Sequence, residues 1–358
     1  MHLAVDGWEL AKSPGGVLAW RACELAERLT ALDPALRLSW LGPTPLATDL
    51  PIGEVEAVDG GRGPWARLAY EQRRLPAAAE RLGADLLLGL EGSAPLRAGL
   101  PVVIEQTAWP ASPGGVAERL RRAAGAAGAL GAAGRYRWQD LASVDLGPPA
   151  ETLLAPFVGP GFRPTAAGDD RSIRQRHGLI DGYVLALEPD RTDLELLLSA
   201  WTWVEASVGD AHPLVIAGLD AQLAGHAGHW SEALDLVDSL RLVPTPAWDE
   251  LPALLRGAAA VIHPGPSANG QELRWAMACG IPIAGVDSAV AAAVVGQAGY
   301  LVAEADSRAL GAACLTLLVE QREVGQDLRQ KGLLRAMAFH DEAAPSAYLA
   351  YLRQVSKT

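Results

Sequence analysis

Apolar residues fall into short unbroken runs separated by stretches with helical spacing, and this alternation predicts strands and helices in turn. Residues 2–5 form the first run. A loop to Gly16 follows, and then Val17, Leu18, Ala22, Leu25, Ala26 and Leu29 recur on one helical face. Further runs at 38–41, 85–88 and 102–104 predict strands, and residues 64–83 predict an amphipathic helix between them. After residue 165 the pattern restarts. Strands are predicted at 183–187, 214–218, 239–243, 259–262 and 283–286, with helices at 194–204, 271–279 and 344–354. Runs without a polar alternate suit parallel strands covered on both faces, and strand–helix alternation predicts doubly wound sheets.

Between the two halves, residues 147–164 are rich in Pro and Gly, which predicts a boundary near residue 165. The Ala/Gly-rich stretch 123–133 lacks charge and Ser/Pro bias, so it reads as closely packed backbone rather than disorder.

One stretch organises the second half. Residues 259–262 are a strand, residues 263–270 a loop loaded with Pro, Gly, Ser and Asn, and residues 271–279 a helix. Asn269 and Glu272 have the spacing of a capping box, and Gly280 is placed as a helix-ending residue. A loop at the carboxyl end of a strand, running into exposed helix N–H groups, binds phosphate in open α/β sheets.

Composition narrows the function classes. The 358 residues suit two domains, and half of them are hydrophobic, enough for sizeable cores. No apolar segment has the length of a membrane span, and the N-terminal residues lack a signal-peptide pattern. The net charge of −12 argues against broad nucleic-acid binding. Cys23, Cys279 and Cys314 lack CxxC spacing, which predicts a reduced, cytoplasmic protein. His177, His226, His229 and His263 show no ligand spacing with any cysteine, so neither a metal nor another cofactor is expected.

Residues 276–283, AMACGIPI, resemble the "EAMACGxPV" segment of retaining family 4 glycosyltransferases, enzymes of the GT-B fold. Residues 248–258 are similar to that family's preceding helix, 294–302 to its "EvvGdAGlLV" turn, 71–76 to its "EQ-x-x-LP" and 134–141 to a helix start. The resemblance spans nearly the whole chain. It implies two Rossmann-like domains facing a cleft, an acceptor-side domain at 1–165 and a nucleotide-sugar domain at 166–340. Residues 341–358 would form a helix crossing back to the first domain. The implied activity is sugar transfer, with retention, from a nucleotide-sugar donor to an acceptor the sequence does not identify.

The donor-binding set expected from the residues and the resemblance is Gly15, Gly16, Arg191, Asn269, Gly270, Gln271 and Glu272. Gly15 and Gly16 read either as a plain turn or as a backbone cradle for an oxyanion. Arg191 reads as a phosphate ligand or a surface arginine, and Glu272 as a ribose ligand or a cap. The chain departs from the family at its charged positions. Its two spaced glutamates fall on Ser267 and Trp275, and a third on Ala293. Its histidine–aspartate pair falls on Gln106 and Thr107, beside Glu105, and its phosphate-loop glycine, arginine and lysine fall on Ala186, Leu187 and Thr192. Lysine occurs only at positions 12, 331 and 357, so none has shifted nearby. These departures leave a second reading, a catalytically degenerate relative acting as a binding or subunit partner of another protein.

Overall fold

The apolar runs become parallel strands. The structure is a computed structural model and describes residues 1–12, 14–43, 52–63, 65–90, 95, 97–106, 136–140, 156–244, 246–265 and 270–357. The chain divides into two units. Met1–Pro14, Leu18–Phe157 and Asp341–Thr358 make the first, and Gly15–Val17 with Val158–His340 make the second.

In the first unit the strands are β1 (His2–Asp6), β2 (Arg37–Gly42), β3 (Glu54–Ala57), β4 (Leu86–Gly89), β5 (Val102–Gln106) and β6 (Tyr136–Asp140), in the order β3-β2-β1-β4-β5-β6. β1 is central, with Val5 paired to Trp40 on one side and Leu88 on the other. The second unit repeats the plan with β7 (Tyr183–Leu187), β8 (Leu214–Ala217), β9 (Leu240–Val243), β10 (Ala258–His263), β11 (Ile283–Val286) and β12 (Gly299–Val302), ordered β12-β11-β10-β7-β8-β9. Among the described residues every strand pairing is parallel; in the second unit the order reverses between β7 and β10. In such sheets ligands collect outside the carboxyl ends of the strands at that reversal.

Helix faces cover the second sheet. Leu194, Leu197, Leu198, Trp201 and Val204 of the Arg191–Val208 helix pack in one core with Leu310, Ala313, Cys314 and Leu317 of the Ser307–Val319 helix. Each buried leucine of this kind contributes about 1.5–3 kcal/mol. Arg256 anchors the helices beneath. It forks onto Asp170 through two 2.6 Å hydrogen bonds, and Arg174 reaches the same carboxylate at 3.9 Å. In the first unit the Ala343–Val355 helix buries Tyr348, Leu349, Leu352 and Val355, and Arg353 pairs with Asp33 at 2.5 Å.

Several expectations need correcting. Residues 134–141 were expected to start a helix, but Tyr136–Asp140 is a strand that pairs with β5 at the edge of the sheet. β3 was not expected, because its short Glu-Val-Glu-Ala edge is largely exposed and carries no apolar run. The 64–83 helix widens into a π turn at Tyr70–Arg74, where the Leu75 N–H reaches the Tyr70 carbonyl just ahead of Pro76. Proline there supplies no N–H to an α-helical ladder. Among the described residues no helix is long and apolar enough to cross a membrane.

Candidate functional site

At the reversal point of the second sheet, β7 runs out into Glu188, which holds the left-handed backbone (φ 43°) that few side chains adopt. Asp190 then caps the Arg191–Val208 helix, accepting the Asp193 N–H at 2.8 Å. β10 ends at His263, and the Gln271–Cys279 helix opens from Gly270 at φ 70°. A Cβ on Gly270 would meet Val294 Cγ2 at 2.7 Å, so both its conformation and its surroundings demand glycine.

The capping box expected of Asn269 and Glu272 rests on a residue outside the described ones, and from the cap residue that is described Glu272 does not close it. Gly270 is the cap residue without a side-chain bond, and Glu272 sits one residue too early to close a box from that position. Its carboxylate turns instead toward His263, with Oε1 3.8 Å from Nδ1. Both residues are buried, His263 at 8 % and Glu272 at 5 % exposure. Glu272 Oε2 and His263 Nε2 have no hydrogen-bond partner among the described residues. An unsatisfied buried polar atom costs about 1–3 kcal/mol. Burial lowers the His263 pKa, against the opposing pull of Glu272, so the ring is neutral near pH 7.

Asp193 completes this edge. Its carboxyl packs so closely on Gly265 that a Cβ there would lie 1.8 Å from Oδ1. Burial, and then the Asp190 charge, raise Asp193 to about 7. Among the described residues no group of three or more His, Cys, Asp or Glu is placed to hold a metal ion.

The expected site residues divide. Gly270, Gln271 and Glu272 stand together at the helix start, with Gln271 buried and its Oε1 accepting from Arg274 at 3.4 Å. Asn269 lies outside the described residues, as do Ser267 and Thr107. Arg191 is exposed and pairs with the exposed Glu195, at 3.5 Å. Arg256 is committed to Asp170, and Arg274 is buried with its guanidinium 5.6 Å from the Phe339 ring centre. Gly15 and Gly16 were expected on a surface turn; both are buried, because the adjacent Val17 N–H donates to the Glu188 carboxylate and Glu188 packs on Gly16. The oxyanion at this glycine pair is thus a side chain of the protein itself.

Trp275, on one of the family's glutamate positions, is fully buried. It stacks on Phe162 at 5.3 Å and 13°, with Trp248 5.6 Å away. Tryptophan there fills the space a polar group would need.

The sequence did not point to His263, Asp193 or the corresponding corner of the first unit. In that corner Asp6, at the end of β1, accepts hydrogen bonds from the Trp8 N–H at 3.0 Å and the Tyr70 hydroxyl at 3.1 Å. Burial and the neighbouring Glu71 raise Asp6 to about 6. Arg67 bridges Glu9 and Glu71 at 2.8 and 3.1 Å.

With this geometry in view, the two sheets define the GT-B, glycosyltransferase-like fold. Residues 181–320 match the model of the family Glycosyl transferases group 1. Among solved structures, sucrose-phosphate synthase from Thermosynechococcus elongatus aligns at TM-score 0.75 and 14% identity, over 99% of this chain and 98% of that one. WaaG, a glycosyltransferase involved in lipopolysaccharide biosynthesis, aligns at 0.70 and 14%, over 98% and 99%. Anabaena Alr3699/HepE, solved in complex with UDP-glucose, aligns at 0.71 and 14%, over 99% of each chain. At these identities the likeness is one of fold. A search of curated protein sequences finds no significant match.

Proposed function

We propose that this protein transfers a sugar from a nucleotide-sugar donor to an acceptor, with retention at the anomeric carbon, and that the second unit holds the donor. One observation carries the reading. The segment matching group 1 glycosyl transferases contains the reversal point where Gly270, Gln271 and Glu272 open a buried helix. In this reading the main-chain N–H groups of Gly270 and Gln271 face the donor phosphates, with Asn269 in the same set. Gly15 and Gly16 join it when the donor displaces the Glu188 carboxylate from them. Arg191 exchanges its weak pair with Glu195 for a phosphate. Glu272 accepts from donor hydroxyls. A reducing cytoplasm suits Cys23, Cys279 and Cys314, which are buried thiols raised to about 12 chiefly by burial.

The related HepE structure contains UDP-glucose, so UDP-glucose is the first donor to test, beside GDP- and ADP-sugars. Binding is read by calorimetry, turnover by nucleoside diphosphate release, and retention by NMR of the product's anomeric proton. Absence of both binding and turnover across the panel sinks the proposal.

A second reading, a non-catalytic relative acting as a subunit partner, draws on Trp275. Its stack with Phe162 fills a position where the resembled family carries a carboxylate. Binding without turnover, for every donor and a broad acceptor panel, favours this second reading.

A further inference from the structure

Where the second sheet reverses, a buried carboxylate oxygen and a buried ring nitrogen lack partners among the described residues. They are Glu272 Oε2 and His263 Nε2, on residues more than nine-tenths buried. Buried polar atoms are ordinarily satisfied, so the pair calls for a partner, and its chemistry limits which. A metal ion would need a third protein ligand, and the described residues offer no such group. A phosphate does not suit these two atoms themselves, because the Glu272 carboxylate oxygen offers it no proton and would repel its charge. Hydroxyl groups fit both atoms. The Glu272 oxygen 3.8 Å from Nδ1 favours a proton on that nitrogen, which leaves Nε2 as an acceptor.

We propose that Glu272 and His263 together hold two neighbouring hydroxyls of the nucleotide sugar, Glu272 accepting from one directly and positioning the imidazole so that Nε2 accepts from the other. The proposal rests on the donor reading above. It assigns to this chain a hydroxyl site of its own, away from Ser267 and Trp275, where the resembled family carries its glutamates. Glu272 is the charged group that acts on the ring. The hydroxyls belong to either the ribose or the transferred sugar.

The test compares the full chain with Glu272→Gln, His263→Phe, His263→Gln and His263→Asn. Binding of UDP, 2′-deoxy-UDP and UDP-glucose is followed by calorimetry, together with GDP and ADP and their sugars. Glu272→Gln and His263→Phe should each weaken binding by about tenfold or more. The double variant should lose little beyond the worse single, since the two groups act as one unit. His263→Gln, whose amide reaches the Nε2 position, should retain more affinity than His263→Asn. Without ligand, Glu272→Gln and His263→Phe should melt at or above the wild-type temperature. A loss already present with UDP and absent with 2′-deoxy-UDP assigns the ribose, whereas a loss confined to UDP-glucose assigns the transferred sugar.

Variants that bind every probe within about twofold of the wild type overturn this proposal alone. So do ligand-free melting temperatures several degrees below wild type, which would make the pair a structural element. A wild type that binds nothing in the panel removes the donor reading and this proposal together.

Discussion

Gly265 has room for a hydrogen and nothing larger. A methyl group there would sit 1.8 Å from Asp193 Oδ1 and 2.2 Å from Cγ, so Gly265→Ala must drive the Asp193 carboxyl out of its place. Overpacking of this kind costs about 1–3 kcal/mol, and urea denaturation should show a loss in that range. Removing the obstacle should restore most of it, so Gly265→Ala with Asp193→Ala should be more stable than the two single losses predict. Simple addition of the losses would mean that the two residues do not meet. Arg191 is the opposite case. Its pair with Glu195 is 3.5 Å long between side chains 64% and 49% exposed, a contact worth roughly 0–0.5 kcal/mol. Arg191→Ala should leave the melting curve in place. If Arg191 meets the donor phosphate, the same change weakens nucleotide diphosphate binding by about 1.5–3 kcal/mol in calorimetry. Equal binding by both proteins removes Arg191 from the site.

At the scale of elements, the Asp170–Arg176 and Leu251–Gly257 helices are tied by the two-pronged bond from Arg256 to Asp170. Burial alone would raise the Asp170 pKa, but Arg256, with the Ala167 N–H and Arg174, outweighs it and holds the carboxyl below its ordinary value. Arg256→Ala leaves a carboxylate that is 2 % exposed with Arg174 at 3.9 Å, and losing the closer partner of a buried pair costs up to about 3–5 kcal/mol. Replacing both by Asp170→Leu with Arg256→Met should recover much of that, read as the shift in urea midpoint. The strands around these helices were legible because a strand covered on both faces must be apolar without interruption, as Val184, Leu185 and Ala186 are. Edges were not, since Glu54–Ala57 has one neighbour and little to bury. The helix start at Gly270 could be read from glycine and sequence spacing, whereas its partner His263 could not. A lone histidine at the end of an apolar strand looks like any core residue until the loop brings Glu272 back to it. Asp193 hid in the same way, because an aspartate three residues after Asp190 reads as ordinary first-turn charge.

For the whole molecule, the raised carboxyls set an unusual dependence on pH. Asp6 in the first unit is raised from 3.8 to about 6 by burial and Glu71, and Asp193 in the second is raised to about 7 by burial and Asp190. The folded protein holds both protons more tightly than the unfolded chain does. From about pH 4 to pH 6 for Asp6, and to pH 7 for Asp193, stability therefore falls as pH rises. For the fully buried Asp6 the change is on the order of 3 kcal/mol. Asp170 and Glu250 act the other way. Burial raises each, but Arg256 for Asp170, and Arg176 and His177 for Glu250, lower them further, so the stability they add is present above about pH 4 and lost in stronger acid. The two trends oppose each other in mildly acidic solution, where burial of His2 and His263, whose pKa values it lowers, also removes stability as pH falls below about 6.5. There the net charge has shrunk from its value of −12 at pH 7, so the protein should be less soluble than at neutral pH. Asp6→Asn separates the causes. Its amide oxygen still accepts the Trp8 N–H, but the group no longer titrates, so the variant should gain stability over wild type at pH 8 and gain little at pH 4. Urea denaturation across that range reads the difference directly. A wild-type slope retained in Asp6→Asn between pH 4 and pH 6 would show that the proton is held elsewhere.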